Sequence, residues 1–215
     1  MNRALWAALV AAASLASAQE YILQDYMPMT IGSQWVWKIT GSPTEGAATT
    51  EVLPPREIEG VQAMPVVLKG PNGRIIFGSL ESVTLDQYLL LGLLLEHRAT
   101  RGGVELLTVL YAPPAKFPGK FKVGQKEQVK VHLKMGQRDA EVTIAVQLEA
   151  TEAVTVPKGK FDDCLKLSFT TTTSQGERKR TIWYAKGVGP VKSEGLSASG
   201  QELRALELTD YKLGQ

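Results

Sequence analysis

Few residues in this sequence have the types and spacing that catalysis or metal binding requires. The chain holds two histidines and one cysteine. His132 lies between Lys130 and Lys134, and His97 ends a leucine-rich segment. A zinc site would need both histidines to converge with a carboxylate, and thiol catalysis would need Cys164 beside a histidine. The spacing gives no reason to expect either arrangement, so we predict no metal ion and no cofactor.

Three short motifs resemble catalytic signatures but differ from them in detail. The motif GLSASG lacks the glycine two residues after Ser197 that a nucleophile elbow carries. Asp162 and Asp163 are adjacent, so on a strand they would point to opposite faces, which does not suit paired-carboxylate chemistry. The motif GVGPVK lacks the third glycine of a dinucleotide fingerprint. We therefore predict that the protein is not an enzyme.

The elements that would position a site follow a two-residue hydrophobic period. Segments 129–133, 142–148 and 165–169 each alternate apolar with more polar or smaller residues, and Cys164 and Lys166 fall opposite Leu165. This pattern is typical of strands with one packed face, and it argues against a parallel sheet. Turn signals such as GQRDA, SQGER and KGVG separate the strands. The sequence predicts an all-β fold, an antiparallel half-barrel or barrel of meandering strands, with one short helix as an open option.

The leucine-rich segment 85–97 is ambiguous between helix and strand. Its leucines favour a helix of three turns. Gly92 weakens a helix, and Tyr88 suits a strand. We favour the strand, and on either interpretation this segment is expected to bury one side of the sheet.

The first residues have the features of a secretory signal. A short positive segment precedes an uncharged apolar run, and Ala16 and Ala18 occupy the small-residue positions of a cleavage site. The run is too short to span a bilayer. We predict a cleaved signal peptide at residues 1–18 and a single β domain at 19–215. The mature chain would then be exported to the periplasm or the extracellular space, with no transmembrane segment after cleavage.

The charge pattern contains one asymmetry. The formal net charge is only +2, so composition does not support a nucleic-acid partner. Between Lys116 and Arg138, however, seven basic residues face a single acidic one, Glu127. Lys130 and Lys134 share a strand face in this basic strip. The strip is either a solvated surface or a surface for anionic lipid head groups or an acidic partner.

Residues 154–194 resemble a pattern found in uncharacterised secreted and lipid-anchored bacterial envelope proteins. The pattern is V-x-V-P-x-G-x-F-x-x-C-L-K, followed by a Thr-rich strand and a W-Y-A-x-G-V-G-x-V-K hairpin. The earlier P-x-x-x-G-x-x-W motif (Pro28, Gly32, Trp35) is similar to the start of those proteins. The resemblance implies a half-barrel or barrel that is distantly similar to bacterial lipoprotein carriers, and it implies no defined activity. The anchor cysteine of some relatives is absent after residue 18.

Two functions remain open on these observations. The first is the binding of an apolar or lipid-like ligand in a β half-barrel. Its expected lining is Trp35, Trp37, Tyr88, Leu90, Trp183 and Tyr184. The second is a structural or interaction module of an envelope assembly, without a small ligand, that docks on an envelope protein through an exposed sheet edge or through Lys130 and Lys134. A large apolar void would favour the first function, and a packed interior the second.

Overall fold

The structure, a computed structural model, describes residues 19–40, 47–98, 104–135, 138–196 and 202–215. The predicted signal peptide at 1–18 lies outside these residues. Within them the chain forms fifteen strands and one turn of 3-10 helix, Leu23–Asp25. No helix in the described part is long and apolar enough to cross a membrane.

The strands in chain order are β1 (Glu20–Ile22), β2 (Gln34–Thr40), β3 (Ala47–Val52), β4 (Arg56–Ile58), β5 (Val61–Lys69), β6 (Ile75–Val83), β7 (Gln87–Arg98), β8 (Val104–Pro118), β9 (Lys120–Lys122), β10 (Lys126–Met135), β11 (Arg138–Val156), β12 (Gly159–Thr173), β13 (Gly176–Ala185), β14 (Gly189–Leu196) and β15 (Glu202–Lys212).

Twelve of these strands form one closed antiparallel sheet. Each pairs with the next of the twelve along the chain, and the first, β2, pairs with the last, β15. The short strands β4 and β9 lie outside the ring, where β4 extends β5 and β9 pairs with β1. The predicted all-β fold is confirmed, and the sheet is a closed barrel. Because both edges of this sheet are paired, the described part of the ring offers no free edge for docking.

The leucine-rich segment forms strand β7. It pairs with β6 on one side and β8 on the other. Because this strand is apolar at consecutive positions, its side chains pack on both sides of the sheet, and a bulge lies between Leu90 and Gly92. A side chain on Gly92 would lie 2.4 Å from the carbonyl oxygen of Val109, so the close approach of β8 requires glycine here.

Strand register identifies the inner face of the barrel. Directly paired residues in an antiparallel sheet place their side chains on the same face. Val146 pairs with Phe169, and Phe169 pairs with Arg180. The ring of Tyr88 lies 6.4 Å from that of Phe169, although three strands separate β7 from β12 in the sheet. Side chains that meet across the barrel must point inward, so Tyr88, Phe169 and Arg180 belong to the inner face.

One end of the barrel is closed by the segment that follows β1. Leu23, Tyr26 and Met27 are buried against the core residues of β8, β11 and β12. The Leu23 amide donates to the carbonyl oxygen of Gly119 at 2.9 Å, and the Gly187 amide donates to that of Asp25 at 2.8 Å. These bonds hold the segment to two neighbouring turns. We call residues 20–29 the plug.

The β13–β14 turn at the plugged end predicts a measurable packing constraint. Gly189 has φ +100°, and a methyl group there would lie 2.7 Å from Cζ2 of Trp35. Gly124 has φ +86° with open space around it. Gly189→Ala should therefore cost about 1–3 kcal/mol more than Gly124→Ala, since only the first adds overpacking to backbone strain.

Urea denaturation followed by tryptophan fluorescence would measure both free energies of unfolding. Equal losses in the two variants would contradict the contact between Gly189 and Trp35.

Candidate functional site

At the end opposite the plug, several inner-face residues of the described part are exposed. Phe77, Leu95 and Leu107 lie on the inner face, yet 37%, 36% and 40% of their surfaces are exposed. Leu95 pairs with Leu107, and Phe77 pairs with Leu68. Near the plug, inner residues such as Leu165 are fully buried. We call the exposed inner region around Phe77, Leu95 and Leu107 the mouth.

A half-buried acid, Glu81, lies on the inner face below the mouth. The Glu81 carboxylate accepts hydrogen bonds from the Ser79 hydroxyl and, at 3.1 Å, from the Tyr88 hydroxyl. Burial raises the pKa of Glu81, while these two hydrogen bonds and the charge of Arg180 oppose that change. Burial and the nearby Glu81 charge raise the pKa of Tyr88 well above its usual value. Both carboxylate oxygens therefore have a donor on their own wall of the barrel.

Arg180 faces the lumen from the opposite wall. Its Nε donates to Oγ of Ser193 at 2.9 Å. Among the described residues, no carboxylate oxygen lies within 4 Å of its guanidinium. Burial lowers the pKa of Arg180, opposed by the charges of Tyr184 and Glu81. The side chain is enclosed by protein but keeps partial solvent access, because it faces the lumen.

The plugged half of the interior is tightly packed. A cavity of about 50 Å³ remains beside Met27, Trp35, Glu81 and Tyr184. This volume suits one or two water molecules and no larger ligand. A groove of about 740 Å³ on the outside of the plugged end is shallow and mixed in character, and it carries both Lys122 and Glu20, which lie 3.5 Å apart.

The structure separates the predicted lining residues into two groups. Trp35, Trp37, Tyr88 and Tyr184 are buried on the inner face, and Leu90, also on that face, packs against the same core. They fill the interior below the mouth. For example, Nε1 of Trp37 donates to the Thr50 hydroxyl at 2.8 Å.

Trp183 was predicted to line the lumen, but it lies on the outer face. Neighbouring residues of a strand point to opposite sides, so Trp183 and Tyr184 cannot line the same cavity. Lys166 and Lys192, its cross-strand partners, place their ammonium groups 5.4 Å and 4.9 Å from its ring centroid. Its indole nitrogen donates to Glu152. Trp183 therefore supports the outer wall.

Lys130 and Lys134 of the basic strip lie on the exposed outer face of β10. Lys130 is 3.3 Å from Glu141, and Nδ1 of His132 is 2.7 Å from Asp139. Lys134 is the cross-strand partner of Asp139. The acids of β11 thus offset part of the positive charge of Lys130 and Lys134. The prediction of an anionic partner for this strip stays a prediction.

The candidate catalytic groups are dispersed. Ser197 and the side chain of His97 lie outside the described residues. In the described part, no three His, Cys, Asp or Glu side chains converge as a metal site.

The residues of the mouth and Arg180 did not emerge from the sequence patterns alone. A signal for them was present. Counting back from Tyr184 by twos gives Ile182 and Arg180, so an arginine shares a face with two apolar residues. Counting from Phe77 likewise gives Ser79 and Glu81. Polar residues on an otherwise apolar face mark the lumen.

Comparison with known proteins gives a partial family match. The DUF3108-like family matches residues 110–205, which is less than half of the chain and contains the whole 154–194 segment. No curated protein matches the sequence.

Three solved structures are similar to this chain. One is a "putative lipoprotein" from Parabacteroides distasonis, with 17% identity, TM-score 0.47, and coverage of 86% of this chain and 97% of that one. The second is a "putative exported protein with YmcC-like fold" from Bacteroides fragilis, with 14% identity, TM-score 0.46, and coverage of 87% and 98%. The third is the hypothetical lipoprotein YmcC from Escherichia coli, with 10% identity, TM-score 0.37, and coverage of 83% and 84%.

The environment of Cys164 makes its thiol unreactive. The side chain is fully buried, and Sγ lies 3.5 Å from the carbonyl oxygen of Phe161. Burial raises the pKa of the thiol to about 11, to which the nearby Asp162 charge contributes. The thiolate is the reactive form of cysteine.

Alkylation by iodoacetamide at pH 8 should therefore be at least about 100-fold slower in the native protein than in urea, since two pH units separate the pKa from that of a free thiol. Mass spectrometry would follow the single label. A Cys164→Ser protein carrying Ser174→Cys in an exposed turn is the control, and it should react at similar rates in both states. Equal native and unfolded rates at Cys164 would contradict its buried placement.

Proposed function

We propose that the protein binds an apolar or lipid-like ligand at the mouth of the barrel and works as an exported, non-catalytic envelope protein. The observation that carries the proposal is the exposure of Phe77, Leu95 and Leu107 on a concave inner face. Large apolar side chains in a concave site lose contact with water when a ligand covers them, at roughly 25 cal/mol for each Å² removed from solvent.

The rest of the interior supports this proposal. The plug and the packed residues beneath the mouth give the site a rigid floor. Glu81, Tyr88 and Arg180 place a small number of polar groups at that floor, which is the usual composition of a ligand pocket. The N-terminal sequence features support export.

A structural or interaction module without a small ligand is the second candidate. The tight packing of the plugged half, with its cavity of about 50 Å³, favours it. The two candidates differ in whether the mouth takes up an apolar molecule.

The proposal predicts that a neutral apolar dye, N-phenyl-1-naphthylamine, binds with increased fluorescence. Leu107→Ser should weaken dye binding about tenfold, because a buried leucine side chain contributes roughly 1.5–3 kcal/mol. Leu106→Ser is the matched control, since Leu106 is the adjacent residue on the outer face. It should leave the dissociation constant within about twofold.

Fluorescence titration gives both constants. Absence of dye binding, or equal weakening by the two variants, would favour the module without a ligand.

A further inference from the structure

We propose that the ligand is an amphiphile with a carboxylate head group, which Arg180 binds inside the lumen while the apolar tail lies against the mouth. This inference rests on the proposed function and adds the chemical class and the orientation of the ligand.

Arg180 has more N–H donors than assigned acceptors in the described part of the chain. A guanidinium has five N–H groups. In the described part, Nε alone has an assigned acceptor, Oγ of Ser193. No buried side-chain nitrogen or oxygen of the described residues lacks a partner. The two terminal nitrogens of Arg180 have no assigned acceptor among the described residues, and the side chain is half-buried, so they can donate to a ligand.

Glu81 makes no direct ion pair with Arg180. Glu81 faces Arg180 across the lumen, but both of its oxygens accept from Ser79 and Tyr88. No oxygen of Glu81 lies within 4 Å of the guanidinium. A positive charge that is enclosed by protein without a direct counter-charge is unfavourable. An incoming anion would relieve this penalty.

A carboxylate head group suits Arg180 better than a phosphate monoester does. Its two oxygens match the terminal N–H groups of a guanidinium in a bidentate pair. A phosphate monoester carries nearly two negative charges at neutral pH. It would meet one cation here, with the carboxyl of Glu81 nearby. A singly charged head group therefore fits the charge of the site better.

The positions of Arg180 and the mouth determine the orientation of the ligand. Phe77, Leu95 and Leu107 are exposed, whereas the side chain of Arg180 is half-buried. The apolar residues thus lie nearer the opening than the guanidinium. A ligand bound to Arg180 would place its tail along Phe77, Leu95 and Leu107, with its end toward solvent.

The test is displacement of N-phenyl-1-naphthylamine by dodecanoate, dodecanol and dodecyl phosphate at equal ionic strength. Wild-type protein should bind dodecanoate about 10- to 100-fold more tightly than dodecanol, as expected for hydrogen bonds to a charged group. Dodecyl phosphate should bind more weakly than dodecanoate. Equal affinities of the acid and the alcohol, or tighter binding of the phosphate, would overturn the carboxylate assignment.

Two variants assign the preference to Arg180. Arg180→Gln should remove the advantage of dodecanoate over dodecanol, measured as the ratio of the two affinities in that same variant. Lys179→Gln is the matched control, because it removes the same charge from the adjacent outer position, where Lys179 pairs with Glu149 at 2.6 Å. It should keep the full preference for the acid. The same preference in Arg180→Gln would overturn the role of Arg180.

Dye binding separates the failure of this inference from that of the proposed function. If the wild-type protein binds the dye but does not distinguish acid from alcohol, only the head-group inference fails. If the wild-type protein binds no dye, the proposed function fails as well. Arg180→Met is the second variant if Arg180→Gln does not fold, since it keeps the length of the side chain without its charge. It should bind the dye and show no preference for dodecanoate, and a retained preference would count against Arg180.

Discussion

The pairing of β2 with β15 is the constraint on which the rest of the structure depends. Every other pairing in the ring joins strands that follow one another among the twelve, whereas this one joins the first to the last. Trp37 lies opposite Leu208, and Ile39 lies opposite Leu206. Closure gives the backbone groups of both terminal strands a partner. It also divides every strand into residues that face inward and residues that face outward.

A ring of twelve strands is wider than its own side chains can fill at every level, and the two ends of this barrel differ for that reason. At one end Leu23, Tyr26 and Met27 of the plug complete the core. At the other end no described segment of this kind covers Phe77, Leu95 and Leu107. Glu81, Tyr88 and Arg180 lie between the packed core at the plugged end and the exposed residues of the mouth. A charge at that depth contributes little to stability.

The outer face follows different rules. Ion pairs such as Lys130 with Glu141 are exposed on both sides, and pairs of this kind contribute about 0–1 kcal/mol each. Trp183 is shielded on this face. Two lysines stack on its ring, and Glu152 accepts its indole proton. The outer face therefore combines solvated charges with buried apolar residues such as Trp183, Leu89 and Leu94.

The two-residue period was sufficient to predict an antiparallel all-β barrel, because alternation is a local property of each strand. Leu165, Leu167 and Phe169 share the inner face as that pattern indicates, and Cys164 lies opposite. Alternation could not tell which of two adjacent aromatic residues faces the lumen. Trp183 and Tyr184 both suit a strand, and only the closed ring determines that Tyr184 points inward.

Tertiary structure also decided where the site lies. Bulges such as that between Leu90 and Gly92 shift the phase of alternation by one residue, so a face cannot be followed along a whole strand from sequence. The plug is a contact between residues 20–29 and turns about a hundred or more positions away, which no local pattern encodes. The sequence by itself determined the strands and their two faces. Long-range closure decided which face became the inside, which end the plug fills, and that Arg180 lies on the inner face.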